Sequence, residues 1–524
     1  MVSNYALDVK RKIFCIECYW SDSWNPSQYS LNYSFNPSFF DQLRDLFEHV
    51  PRPNLVIRQG NIASDYANYT GESKNVYLSF SIVQSEDIYY STNIIDRSTK
   101  CFDCMDIVAG TELYGNIDCT KSFNSIFLIE CRECLNSSFL FDCVNCSDCF
   151  LSSNLRNKRF VFKNKQLSEI DYQKAVREVD IGSFTNLQTL LADFSFLLKT
   201  LLHKYADITH SSNTTGNHIF NSKNTLSSFD THDNENVKYG NRCPFVKDSM
   251  DIAWFREGEL IYEYTNVGKT GHSVIFGENN WAENKNIIYC SQIKSCSDLF
   301  ACIGLRNKQY CILNKQYTKE EYEELVPRII AHMNDMPYVD SKGRVYRYGE
   351  FFPPELSPFA YNETIAQEYF PLTKEEALSK GYKWKDPESR DYKITKEPED
   401  LPDYIKDVPD SILKEVIGCE HQGKCNEQCT TAFKIIEPEL QFYRRMNLPL
   451  PRLCPNCRHY QRLKQRNPLK LWHRQCMCDY KNYQNTTKHP HHSKGQCPNE
   501  FETSYAPDRL EIVYCEQCYN AEVV

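Results

Sequence analysis

The chain repeats itself. "LRNKRFVFKNKQLSEIDYQKAV", from Leu155, returns as "LRNKQYCILNKQYTKEEYEELV" from Leu305, offset by 150 positions. A phrase that recurs at this length asks for the same local structure twice, so a tandem duplication is expected. Each copy ends in a helix start, since Ser168 and Thr318 stand three residues before Asp171 and Glu321 in capping-box fashion.

Upstream of both copies a shorter phrase recurs, a polar pair followed by an apolar residue or two and an aromatic. Lys74-Asn75-Val76-Tyr77, Glu86-Asp87-Ile88-Tyr89, Ser147-Asp148-Cys149-Phe150, Lys285-Asn286-Ile287-Ile288-Tyr289 and Ser297-Asp298-Leu299-Phe300 are examples. Their spacing clusters around a dozen residues, with Ser, Asn, Asp and Thr between. Short strands joined by polar turns at a near-regular interval predict a parallel β-solenoid, whose coils bury a face only against their neighbours. A pair of small antiparallel sheets is the alternative. The expected fold class is mainly β with helices, a duplicated solenoid-like repeat domain followed by tandem zinc ribbons.

Twenty-five cysteines accompany 41% hydrophobic and 25% charged residues, the balance of a globular chain. No apolar h-region follows Met1 and no run of 18 apolar residues occurs, so neither a signal peptide nor a membrane span is read, and an intracellular, thiol-reducing location is expected. Eight cysteines fall in 101–149, among them Cys101, Cys104, Cys131, Cys134, Cys143, Cys146 and Cys149. The second copy replaces many of them with Ile, Val and Phe, which a metal site would not survive. A stacked apolar ladder inside a narrow core is therefore preferred to zinc binding there.

Ten cysteines fall in 419–518 and read differently. Cys419, Cys425 and Cys429 precede Cys454-Pro-Asn-Cys457; Cys476, Cys478 and Cys497 precede Cys515-Glu-Gln-Cys518. Two thiolates on a tight turn supply half of a tetrahedral zinc site, so this is a tandem zinc-ribbon pattern with about two Zn²⁺ expected. Phe433 and Phe501 follow Cys429 and Cys497 by four residues, which marks those two cysteines as equivalent ligands. Their partners stay ambiguous between Cys419 and Cys425, and between Cys476 and Cys478. His489, His491 and His492 lie in a Lys-, Asn- and Thr-rich insertion and read as a solvated loop. A redox role for Cys-x-x-Cys would need a thioredoxin-like βαβ context, which is not seen.

The C-terminal hairpin has an echo at the other end, for "YALDVKRKIFCIECYW" from Tyr5 matches "YAPDRLEIVYCEQCYN" from Tyr505. Cys15 and Cys18 are thus a partial metal site. They are expected to persist without metal, through packing of Tyr19, Trp20 and Trp24 against the first solenoid coil.

Net charge is −9, yet nine Lys or Arg and no acidic residue lie between Gln441 and Arg474. Arg444, Arg445, Arg452, Arg458, Arg462, Lys464, Arg466, Lys470, Trp472 and Arg474 are the candidate nucleic-acid contacts, because Arg and aromatic side chains on a metal-braced knuckle can pair phosphates and stack bases. A solvated basic face, or one docked on the acidic 395–410 stretch, is the competing reading. No Ser/His/Asp set, phosphate loop or open metal position points to an enzyme; "NVGKTG" at 266–271 has Glu263 where a P-loop needs glycine.

The domain boundaries expected are 1–65 (half ribbon and helical segment), 66–185 (first repeat unit), 186–214 (linking helix, 186–206), 215–336 (second repeat unit), 337–410 (wrapping linker with a helix from Thr373 to about Lys380) and 411–524 (tandem ribbons).

"SPFAYNETIAQEYFPLTKEEALSKGYKWKD", "QFYRRMNLPLPRLCPNCRHYQRLKQRNPLKLW" and "TSYAPDRLEIVYCEQCY", with the "LRNK" repeats, resemble an uncharacterised zinc-ribbon and Cys-rich repeat family of candidate-phyla bacteria and giant viruses. The resemblance spans nearly the whole chain. It implies structural zinc and, for a viral member, a place in a virion or viral factory. Members often carry a CaiB/BaiF (CoA transferase) label, which no residue pattern here supports. Similar chains have a further ribbon half before "CIECYW", so the missing half is expected to be lost from the gene start or supplied by another surface. The function expected is a non-enzymatic, zinc-dependent binding protein for RNA, DNA or a nucleoprotein, with a protein-interaction or particle-assembly scaffold as the alternative.

Overall fold

Strands in 66–166 pair in parallel at a nearly constant offset. Lys74 lies opposite Glu86, Val76 opposite Ile88, and Ser138 opposite both Ile126 and Phe150. Isolated bridges carry the same twelve-residue step along other rows, Met105 to Ile117 to Ile129 and Thr120 to Arg132 to Val144. A computed structural model describes the chain except residues 1, 7, 8, 58, 59, 96, 254, 266–270, 282, 387–391 and 482–484. All but Gly271 of the 266–271 stretch, and Asp8 of the N-terminal module, lie outside the described residues.

The chain turns at every third residue, where backbone φ is positive: Asp118, Lys121, Asn124, Phe127, Glu130, Glu133 and Asn136 continue one such series. Asn and Asp tolerate this left-handed region best, which is why they crowd these corners. The residue after each corner points inward and is small or apolar. Cys131, Cys134, Ser137, Leu140, Cys143, Cys146 and Cys149 are buried, and a turn of only twelve residues leaves no room for more. The eight cysteines of 101–149 are all buried. Their thiols donate to nearby carbonyls, Cys119 Sγ to Ile117 O at 3.2 Å and Cys131 Sγ to Ile129 O at 3.3 Å. They pack among Val76, Ile88, Leu128 and Leu140 as a ladder.

The described residues of 208–316 form a second ladder at a step of eleven to thirteen residues, with Lys285 opposite Ser297 and Ile287 opposite Leu299. Both ladders close with an antiparallel hairpin, Arg159–Phe162 with Lys165–Gln166 and Gln309–Ile312 with Lys315–Gln316. Helices Glu169–Arg177 and Lys319–Asp335 follow, capped by Ser168 and Thr318. Thr318 and Glu321 complete a capping box. Apart from these closing hairpins the described strands of the ladders pair in parallel, and short antiparallel pairs lie elsewhere; the chain is mainly β with some helices.

Each ladder is covered by a helix that precedes the other. Phe39–His49 lies ahead of the first ladder but packs Phe39 tilted on Tyr289 and edge-on to Phe300 of the second, with ring centroids 5.1 and 5.5 Å apart. Phe184–Thr200 lies ahead of the second ladder and buries Leu187, Leu190 and Phe194 against Phe139 and its neighbours in the first. Burial of such side chains is worth about 1.5–3 kcal/mol each. The single helix expected over 186–206 stops at Thr200, and Leu202–Lys204 becomes a strand parallel to Ile512–Tyr514. The helix at Lys374–Ser379 has the expected capping box, from Thr373 and Glu376.

The N-terminal hairpin also crosses over. Tyr19 is fully buried, Trp20 packs edge-on against Trp281, and Arg306 donates to the Ser21 carbonyl at 2.8 Å. Tyr19, Trp20 and Trp24 therefore sit on the second ladder, not on the first as expected. The apolar face they need is supplied by the same corner that holds the Phe39–His49 helix.

Candidate metal centre

In the first ribbon, Ile417–Gly418 pairs antiparallel with Ala432–Phe433, which brings Cys419 and Cys429 to one end of a short hairpin. Cys454 is the N-cap of helix Pro455–Leu463, and Cys457 lies in its first turn. Proline at the first helical position fits because that N–H has no helical partner. Cys419, Cys429, Cys454 and Cys457 place their ligand atoms within 4.8 Å of one another. The Cys419–Cys457 Sγ separation is 3.9 Å, close to the edge of a tetrahedron with metal–sulfur bonds of about 2.3 Å.

The second ribbon repeats the construction. Trp472–Gln475 pairs with Glu500–Thr503, Cys515 caps helix Glu516–Val523, and Cys476, Cys497, Cys515 and Cys518 converge. Backbone amides aim at sulfur identically in the two units: Cys454 N to Cys419 Sγ is 3.3 Å and Cys515 N to Cys476 Sγ is 3.2 Å. Thiol hydrogen bonds from Cys419 and then Cys457 hold Cys454 well below the usual thiol range. Cys476 and Cys518 do the same for Cys515. A metal ion takes such thiols as thiolates. Two tetra-Cys clusters can thus hold metal ions, in keeping with the expected pair.

The ambiguity within each ribbon resolves in favour of Cys419 and Cys476. Cys425 and Cys478 stay close by: Cys425 Sγ is 3.7 Å from Cys457 Sγ, and Cys478 Sγ is 3.5 Å from His489 Nδ1. The histidines are not a solvated loop. His489 is buried, and His491 Nε2 lies 3.4 Å from Cys497 Sγ and 3.3 Å from Cys518 Sγ. The polar composition of the insertion hid this, although three histidines within four positions beside a Cys-rich unit were a readable signal.

Cys15 and Cys18 reproduce the knuckle turn, with Cys18 N 3.4 Å from Cys15 Sγ as Cys518 N is from Cys515 Sγ. Cys15 is half-buried and Cys18 exposed.

Much of the basic segment is turned toward its own chain. Arg458 Nε and Arg462 Nη1 pair with the two oxygens of Asp103 at 2.9 and 3.0 Å, and all three side chains are buried. Arg466 reaches Asp118 and Asp106 in the first ladder, at 3.1 and 3.3 Å, and Asp230 in the second at 2.9 Å. Arg452 donates to the Leu401 and Pro402 carbonyls, and Arg474 to those of Tyr505 and Ala506. Arg444 pairs with Asp410, Arg445 with Glu112, and Lys464 with Glu427. Lys470 lies 4.9 Å from the ring of Trp472, itself in a paired strand. Arg444 pairs with Asp410 of the acidic 395–410 stretch, whereas Arg458, Arg462 and Arg466 pair with buried carboxylates of the ladders.

Between the ladders lies a cleft of about 420 Å³. Val83, Ile95, Val108 and Phe245 line it, together with Asp118, His218, Asp230 and Arg242. His218 Nδ1 is 2.8 Å from Asp230, and Arg242 grips Asp106 with two nitrogens at 2.7 and 3.0 Å. No helix among the described residues is long and apolar enough to cross a membrane.

No family model matches the sequence, and no curated protein matches it. Among solved structures, a putative acetyltransferase from Desulfovibrio desulfuricans G20 aligns with 46% of this chain and 60% of its own length, at 11% identity and a TM-score of 0.10. A likeness that low carries no argument about fold or activity.

Proposed function

We propose that the chain is a non-enzymatic binding scaffold: two four-sided β-solenoids, related by tandem duplication, held in fixed relation by zinc ribbons. Zinc is the metal that four thiolates in tetrahedral array select most readily, with structural rather than catalytic use because no coordination position is left open. The observation that carries this reading is Arg466. A residue of the metal module is the buried counter-ion of carboxylates in both ladders, so the module acts as a keystone. A nucleic-acid surface needs those guanidiniums in solvent, facing phosphate.

The cleft beside that keystone suits a ligand or a protein segment with an apolar body and a polar tip. The scaffold reading is tested on the intact, zinc-loaded chain by filter binding to RNA and DNA across a salt series, with size-exclusion after chelation. Salt-independent, negligible retention and loss of the compact state on chelation are expected. Tight binding that weakens steeply with salt would restore the nucleic-acid reading and sink this one.

A further inference from the structure

The second ribbon holds more donors than one ion uses. Cys478, His489, His492 and Cys518 place ligand atoms within 4.8 Å of one another, and this set shares only Cys518 with the tetra-Cys group. Cys478 Sγ is 3.5 Å from His489 Nδ1, and His492 Nε2 is 3.2 Å from Cys518 Sγ. Cys478 is buried, and the His489 side chain is 0% exposed.

The other nitrogen of His489 is already assigned. Its Nε2 lies 2.7 Å from Glu522 Oε1, in a carboxylate that is 2% exposed. Glu522 is itself held by Asn485 Nδ2 at 2.9 Å, Thr486 N at 2.8 Å and Thr486 Oγ1 at 2.6 Å. A buried carboxylate that accepts the outer N–H of an imidazole and turns its inner nitrogen inward is the usual support of a metal-binding histidine. Tyr480 fixes both histidines by the backbone, accepting from His489 N at 2.7 Å and donating to His492 O at 3.1 Å.

We propose that the second ribbon is a dinuclear site, in which Cys478, His489 and His492 hold a second divalent ion beside the tetra-Cys ion and the Cys518 thiolate bridges the two. This rests on the reading of the ribbons as metal sites. Binding displaces one proton, from the Cys478 thiol, and forms four metal bonds; no oxidant or reductant is involved. The charge balance favours it. One divalent ion on four thiolates leaves a formal charge of about −2 in a buried place, and a second ion with one further thiolate brings the pair to about −1. The first ribbon sets His421, Cys425 and Glu427 beside Cys457 in a similar way. There Glu427 is engaged by His421 and Lys464, so the same count is not drawn for it.

Metal content of the intact zinc-loaded chain after exhaustive dialysis should be about three equivalents, falling to about two in His489→Gln and in Cys478→Ser. The cadmium-substituted chain should show, by ¹¹³Cd NMR, two all-sulfur resonances and one of mixed sulfur–nitrogen type. The mixed resonance should couple through Cys518 to one of the others, and it alone should vanish in His489→Gln. Survival of both all-sulfur signals shows that the variant is folded. Two equivalents with all-sulfur signals alone would overturn the dinuclear site and leave the ribbons standing. No bound metal at all would overturn both.

Discussion

Tyr519 Oη stands 3.2 Å from Asn154 Oδ1, which joins the last helix of the chain to a corner of the first ladder. The same phenol donates to Asp142. At the other end of the chain, Tyr19 meets the second ladder at Gly304, where φ is +74° and a Cβ would lie 3.0 Å from the tyrosine oxygen. The two contacts are displaced by 500 positions on the knuckle and 150 on the ladder. Gly304 supplies both the left-handed backbone and the space.

The two tyrosines nevertheless differ chemically. Tyr519→Phe removes the phenol from Asp142, which keeps the Arg156 guanidinium at 2.9 Å, and should cost about 1 kcal/mol. Tyr19 Oη is buried without a hydrogen-bond partner among the described residues, so Tyr19→Phe should be neutral or stabilising. Urea denaturation of the two single variants compares them directly; equal losses would contradict the asymmetry.

Arg466→Met removes the cation shared by Asp106, Asp118 and Asp230. A buried charge stripped of its partner is expensive, so a loss of about 3–5 kcal/mol is expected. Arg445→Met, half-exposed beside Glu112, should change stability by no more than about 0.5 kcal/mol. The same denaturation curves, read at fixed metal loading, decide whether the basic segment is a keystone or a solvated face.

Burial pushes the Asp118 carboxyl up to about 7, against the pull of Arg466 and His218. A carboxyl raised on folding binds its proton more tightly in the native state. Its contribution is therefore fully present below the unfolded pKa and is lost as pH climbs from there through about 7. The stability of the native chain relative to Asp118→Asn should fall between about pH 4 and pH 7 and then level off. A difference that stays flat above about pH 5 would show Asp118 to be ionised over that range.

Each ribbon reads from sequence as an independent unit, but the first shares its core with a ladder. Phe442 stacks on Phe102 with centroids 4.0 Å apart, and Cys454 and Cys457 belong to the same cluster as Tyr89 and Ile126. Cys457→Ser should release one metal equivalent and raise amide hydrogen exchange through 101–150 as well as 411–470. Amides in 284–312 should stay protected. Exchange confined to 411–470 would restore independence.

What could be read without coordinates was whatever neighbouring residues encode together. The dozen-residue interval between Lys74-Asn75-Val76-Tyr77 and Glu86-Asp87-Ile88-Tyr89 is the register of the ladder itself. Cys454 and Cys457, or Cys515 and Cys518, announce a knuckle because three residues suffice to build one. The shorter period of three, in Cys131, Cys134, Ser137, Leu140, Cys143, Cys146 and Cys149, is equally local, but a strand-and-turn template averages over it. Tertiary structure alone decided where the charges went. Arg458, Arg462 and Arg466 have the same local sequence whether they face phosphate in solvent or Asp103 and Asp230 some hundreds of residues away. It also placed Tyr19 on the second ladder and folded His489 inward against Glu522. Period and spacing are local properties of a chain, whereas the partner of a buried charge is chosen by the packing of surfaces that are distant in sequence, where desolvation makes any unpaired choice costly.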